Sequence, residues 1–287
     1  MKTLRLDHTA GSDVTVYCGE GVLLRYVYCP TTAANESPRP YAHPVNTLAG
    51  DTLTNFRPND HPWHHALSFT LNNVSGANFW GGPTCLRGDG YKWRDDHGSQ
   101  NHLDWTRLEA SGITATLSHT LAWRRLSETL FHETRTLLLN IDEAAQAWSL
   151  NWRSHLSNVS GRALSLGNPH SHGGLAGSHY NGLQFRGARE LLDDHLDPTI
   201  KVTAEGGLDG IPAVHGASAR WMDWHGQLDG TLHRVKIRFE NNPGPLPWFV
   251  RRNYPLAALP VQFDQNLELA SGAELHLDHT LTFQSIA

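Results

Sequence analysis

Ala147-Trp148-Ser149-Leu150-Asn151-Trp152-Arg153-Ser154-His155 places the apolar side chains Trp148, Leu150 and Trp152 at every second position. Successive side chains of an extended chain point to opposite faces, so period two marks a strand with one face buried. Runs of the same kind recur on both sides: Val14 to Tyr28, Ile113 to Trp123, Leu130 to Ile141, Arg234 to Glu240 and Glu274 to Phe283. Clusters of Gly, Asn, Asp and Pro separate them, as turns between antiparallel strands require. Helical periodicity is almost absent. The expected fold class is all-β, a large antiparallel β-sandwich. No Gly/Ser linker, low-complexity segment or repeat divides the chain, so residues 1–287 are read as one sandwich domain with long functional loops.

Composition narrows the function classes. Of 287 residues, 39% are hydrophobic, enough for a sizeable core. A formal net charge of -5 argues against a nucleic-acid partner, which would need a basic face. No stretch approaches the roughly 20 apolar residues of a membrane helix, so no membrane partner is expected. Cys18, Cys29 and Cys85 show no CxxC spacing and read as reduced thiols. The N-terminus has no apolar signal-peptide core, and the expected location is cytoplasmic. Two counts stand out, 19 histidines and 10 tryptophans. Imidazole suits proton transfer near neutral pH and metal binding, and indole offers flat faces for a sugar ring.

Most of the histidines fall in two loop-like stretches, about Pro30 to Asp104 and Gly167 to Gly216. Long loops in a β-domain are commonly functional. The first carries Arg39-Pro40-Tyr41-Ala42-His43-Pro44-Val45 and Asn59-Asp60-His61-Pro62-Trp63-His64-His65. On a helical turn His61 and His65 would share a face suited to a divalent metal. On a strand, at most one of His64 and His65 faces a given pocket. Further on come Asn78-Phe79-Trp80-Gly81-Gly82 and Asp95-Asp96-His97-Gly98-Ser99-Gln100-Asn101-His102. Paired glycines allow a sharp turn or a close approach to a ligand, and Asp96 can orient an imidazole. The second stretch carries Asn168-Pro169-His170-Ser171-His172, then His179-Tyr180 and Arg186. His170 and His172, two apart, would project to one side of an extended segment. Arg186 can clamp a carboxylate or vicinal hydroxyls.

Two acids remain. Glu133, in Phe131-His132-Glu133-Thr134-Arg135, is either a pocket carboxylate or half of a structural ion pair with Arg135. Glu240 precedes Asn241-Asn242-Pro243 and is a catalytic acid or a turn residue. Walker A, strand-linked GxGxxG, GxSxG, HExxH and CxxC motifs are all absent.

The runs RPYAHPV, NDHPWHHALS, SGANFWGG, DDHGSQNH and NNPGPLPWFVR resemble the soluble bacterial methane oxygenase PmoA-like family. A second resemblance, carried by Leu156 to Ser160 and Asn168-Pro169-His170, is to the aldose 1-epimerases. It implies a galactose mutarotase-like supersandwich, His170 as the acid at the ring oxygen, and His61 or His65 as a second imidazole there. The late glutamate base of that family has no counterpart between Trp248 and Phe263, so Glu240 or Glu133 would have to supply it.

The expected function is a carbohydrate-active enzyme of epimerase, glycosidase or lyase type, using His170, Glu240, Glu133 and His65 for acid-base catalysis. His43, His61, His64, Trp80, His97, His102, His172, Tyr180, Arg186 and Trp248 would hold the sugar. The rivals are a metal-dependent enzyme, with a divalent ion on the histidine cluster, and a non-catalytic sugar-binding protein. No cofactor is otherwise expected, and the oligomeric state is open.

Overall fold

A computed structural model describes residues 2–286. The opening stretch forms the strand Ala147–Asn158, paired antiparallel to Glu128–Asp142 on one side and Glu274–Ile286 on the other. The register sets Leu150 opposite Leu139 and Leu281, so apolar side chains line up across three strands on one face. These strands are the middle of a nine-stranded sheet. An eight-stranded sheet lies against it, contributing Val16, Tyr26, Phe69 and Phe185 to the apolar cluster that also holds Trp148, Leu150 and Trp152. All ladders are antiparallel in both sheets. The sandwich expected from the alternation is the observed architecture.

The two stretches read as loops are only partly so. Tyr41–Val45, Leu67–Leu71 and Asn181–Arg186 are strands inside the eight-stranded sheet. All of Leu67–Leu71 and of Asn181–Arg186 is buried, because the chain folds back over the outer face of this sheet. Burial on both faces lets polar Ser68, Thr70, Gln184 and Arg186 alternate with Leu67, Phe69, Leu183 and Phe185. Such short, mixed segments carry a weak strand signal.

Several expected site residues sit in this framework instead of a cleft. Glu133 is in the core, where its carboxylate accepts hydrogen bonds from Trp123 Nε1 (2.7 Å) and from Arg135 Nε and Nη2 (2.8 Å each). Arg135 also donates to Tyr26 Oη (3.2 Å) of the opposite sheet and to Gln100 Oε1 (2.9 Å). A buried carboxylate needs such partners, and the set leaves Glu133 no route to a ligand. Glu240 is not in a cleft either. Val235, Ile237 and Phe239 turn inward along Arg234–Asn241, so Glu240 projects with Lys236 and Arg238 from the outer face of the nine-stranded sheet. Trp248 is fully buried and donates through Nε1 to Ala219 O (3.0 Å). His102 lies on the edge strand Ser99–Ser111, with Nδ1 2.9 Å from His119 Nδ1. None of these four joins the site described next.

Candidate active site

The outer face of the eight-stranded sheet carries the buried polar row Ser68, Thr70, Gln184 and Arg186, and loops close over it. Arg39, fully buried, fastens those loops. Its Nη1 donates to the carbonyls of Glu36 (3.0 Å), Ser37 (3.1 Å) and Trp80 (2.9 Å), and its Nη2 to Trp63 O (2.8 Å). One planar cation thus satisfies four carbonyls from three loop segments and sets the two indoles. Gly82, at φ +73°, completes the arrangement. A Cβ there would lie 2.4 Å from the Trp63 ring, so the paired glycines serve a close approach of indole to backbone. His97 braces the same turn by donating through Nε2 to Gly82 O (2.8 Å).

Between these loops lies a cleft of ~240 Å³, lined by His61, Trp63, His64, Asn72, Trp80, Gly81, Pro83, Cys85, Tyr91, Pro169 and Tyr180. Residues 58–64 turn tightly: His61 N donates to Pro58 O (3.0 Å) and His64 N to His61 O (2.9 Å). This turn sets the His61 and His64 rings 5.0 Å apart, both against the cleft. Asp60 lies 3.0 Å from His61 Nδ1 and is itself exposed. Tyr180 packs on Trp80 (ring centroids 5.1 Å), and its hydroxyl is hydrogen-bonded to that of Tyr254. The Arg186 guanidinium stacks on the Tyr254 ring at 3.9 Å.

Burial sets the protonation of this group. His64 is 1% exposed, and desolvation, reinforced by the charge of Arg186, drives its pKa well below the usual imidazole value. It is neutral at pH 7. Burial raises Tyr180 well above the ordinary phenol, so it stays protonated.

The other expected histidines stand around the cleft. His65 turns away from His64 and donates through Nε2 to Glu36 (3.1 Å), which also pairs with Arg57 (2.8 Å). Burial lowers His65 to about 3 and, with the charge of Arg25, lowers His43 to about 4. His43 Nδ1 is 2.9 Å from Thr54 Oγ1. The metal pair expected of His61 and His65 therefore does not form, since the turn pairs His61 with His64. His172 occupies a turn, half-buried, outside the residues that line the cleft.

His170 lies beyond Pro169 in a second group with His179 and Asp264, whose ligand atoms lie within 4.8 Å of one another. Gly177 N donates to His170 Nδ1 (3.0 Å), so a neutral His170 carries its proton on Nε2, the nitrogen facing Asp264 (3.7 Å). That leaves a metal two ready ligands where three are the usual minimum. A third group, His155, Glu274 and His276, is on the nine-stranded sheet, away from the cleft.

His43, His65 and His179, the last lowered to about 4 by burial and then by His170 and His215, are neutral in the fold near pH 7. Below pH 6.5 the unfolded chain protonates these imidazoles while the fold does not, so stability falls as pH falls from about 6.5 towards 4. Melting temperatures measured between pH 7.5 and 4.5 should decline steadily below 6.5. A flat profile would contradict the buried neutral state.

A family model matches residues 13–285, nearly the whole sandwich and every residue of the cleft. The chain belongs to the family of unknown function DUF6807. This DUF6807 membership does not carry the methane oxygenase PmoA-like label. No curated protein matches the chain in sequence. Among solved structures, the α-galactosidase from Lactobacillus brevis is similar, with 10% identity and a TM-score of 0.42. The match covers 98% of this DUF6807 chain and 39% of the α-galactosidase chain, so it spans about two fifths of that enzyme. Among the described residues no helix is long and apolar enough to cross a membrane.

Sequence reasoning quoted Arg39, Trp63 and Arg251 without giving them a role, and did not single out Tyr91 or Tyr254. The run Trp248-Phe249-Val250-Arg251-Arg252-Asn253-Tyr254, dense in aromatic and cationic side chains and closed by Pro255, is the signal that could have found Arg251 and Tyr254.

Proposed function

We propose that the cleft binds a sugar or a similar polyhydroxylated molecule and that His64 and His61 move protons on it. One observation carries this reading: a single ~240 Å³ cleft joins aromatic walls to two adjacent imidazoles. That volume is below the ~300–1,000 Å³ common for drug-sized ligands and suits a monosaccharide. Aromatic faces take the C–H surface of a sugar ring, and the imidazoles and Asn72 meet its hydroxyls. Neutral His64 acts as the base and takes a proton from the ligand. His61, with Asp60 beside Nδ1, returns one. Among the described residues no carboxylate lines the cleft, so the paired acids of ordinary glycoside hydrolysis are missing there, and epimerase- or lyase-type proton transfer is favoured. The resemblance to aldose 1-epimerases points the same way, with His61 and His64 in place of His170 and the glutamate.

Titration of monosaccharides against the fluorescence of Trp63 and Trp80 tests the binding. The protein should respond saturably to at least one sugar, and Tyr91→Ala should weaken that response about 3- to 10-fold. Tyr91 is 53% exposed, so its loss should leave the melting temperature unchanged. Absence of a response to any sugar would overturn the proposal.

A further inference from the structure

Arg186 is 4% exposed, yet its guanidinium is in no ion pair among the described residues, and two of its three nitrogens have no hydrogen-bond partner. Nε and Nη1 are shut off from solvent without a partner. The other fully buried arginines are satisfied: Arg39 by four carbonyls, Arg135 by Glu133. A buried cation without a counter-charge is costly, and a protein that keeps one commonly has a use for it. The surroundings are specific. The guanidinium lies on Tyr254, whose ring packs on His61 (5.7 Å) and His64 (6.0 Å), both lining the cleft. Arg251 approaches the same tyrosines, 5.6 Å from Tyr180 and 5.4 Å from Tyr254, and its Nε is likewise without a partner. Of the two hydroxyls in the Tyr180–Tyr254 hydrogen bond only one proton is used, so the other is free to donate.

We propose that Arg186 recognises a carboxylate on the ligand, so that the cleft takes a sugar acid, a uronate, in preference to a neutral sugar. This rests on the reading of the cleft as a sugar site. A carboxylate brings one charge and two acceptor oxygens, which match one planar guanidinium and one phenol proton. Phosphate, with three oxygens and nearly two charges, would want a second desolvated cation, and Arg251 is partly open to solvent. The carboxylate would also neutralise the charge beside His64, making that imidazole a stronger base once the ligand is bound.

The test is calorimetric titration of wild type and Arg186→Met with glucuronate, galacturonate, glucose, galactose and glucose 6-phosphate, with a melting curve for each protein. Wild type should bind a uronate about 10- to 150-fold more tightly than the matching neutral sugar. Arg186→Met should lose that preference while melting at the same temperature or higher, because methionine keeps the packing on Tyr254 and removes an uncompensated charge. A purely structural arginine would instead lower the melting temperature and leave the preference intact, which would overturn the inference. Equal affinity for uronate and neutral sugar in wild type would overturn it while sparing the sugar-binding reading. Tighter binding of the sugar phosphate, lost in Arg186→Met, would overturn the assignment to a carboxylate. Failure of every sugar to bind wild type would overturn the sugar reading itself and this inference with it.

Discussion

Replacing His64 with glutamine should lower turnover by about 10²–10⁴-fold, the range for loss of a positioned acid or base, with little change in KM. Glutamine retains a polar, hydrogen-bonding side chain of similar reach but cannot accept a proton at neutral pH. The imidazole is suited to the task by its setting. It is buried against the cleft, has no carboxylate partner among the described residues, and is held neutral by desolvation and the charge of Arg186. The acid limb of the rate profile should therefore lie below the ordinary imidazole range, because His64 resists protonation until the pH is well under 6.5. The measurement is exchange between sugar forms by NMR, with the sugar that binding identifies and with melting curves as the control for folding. Wild-type turnover in His64→Gln would remove His64 from the chemistry. A loss confined to His61→Gln would transfer the role of base to its neighbour.

Glu133→Gln should destabilise the protein by about 3–5 kcal/mol, the usual cost of breaking a buried ion pair by removing one partner. For a chain of this size that is a fall of roughly 10 °C in melting temperature. The reason lies in what Arg135 holds. It is fully buried, stacks near Trp152 (5.0 Å), and reaches Tyr26 in the facing sheet, so its charge has nowhere to go once the carboxylate is lost. The double variant Glu133→Gln/Arg135→Met should recover much of the loss, because it removes the stranded charge. Melting within a degree or two of wild type for Glu133→Gln alone would show that the pair does not fasten the sheets. Sugar binding should persist in any folded Glu133 variant, which separates this position from the cleft.

The strands that could be read were long ones with one face buried and the other toward water. Arg234–Asn241 and Ala147–Asn158 alternate buried and more exposed residues, and the alternation is visible without coordinates. Leu67–Leu71 and Asn181–Arg186 escaped because their second face is roofed by loops, which removes the contrast that marks a half-buried strand. The site was legible in the same uneven way. The local turn at Pro58 to His64 is short enough that its histidines could be suspected together, but local spacing favoured His61 with His65. The hydrogen bond from His64 N to His61 O decided for His61 with His64.

By itself, the sequence determined the all-β class, the long alternating strands, the antiparallel order implied by turn residues, and the concentration of imidazole in two stretches. These follow from local rules, since periodicity, turn chemistry and composition act over a few residues. Only the tertiary structure decided which of those residues share a cleft. Glu133 and Arg135 are two apart and form a pair inside the core, while Glu240 was carried to the outer face of the same nine-stranded sheet. Trp63, Trp80 and Tyr180 are up to 117 positions apart in the chain, yet they line one cavity. Arg39 fixes two of the three through carbonyl contacts that no side-chain pattern encodes. Long-range packing, which depends on where every loop crosses the sheet, assembled the site.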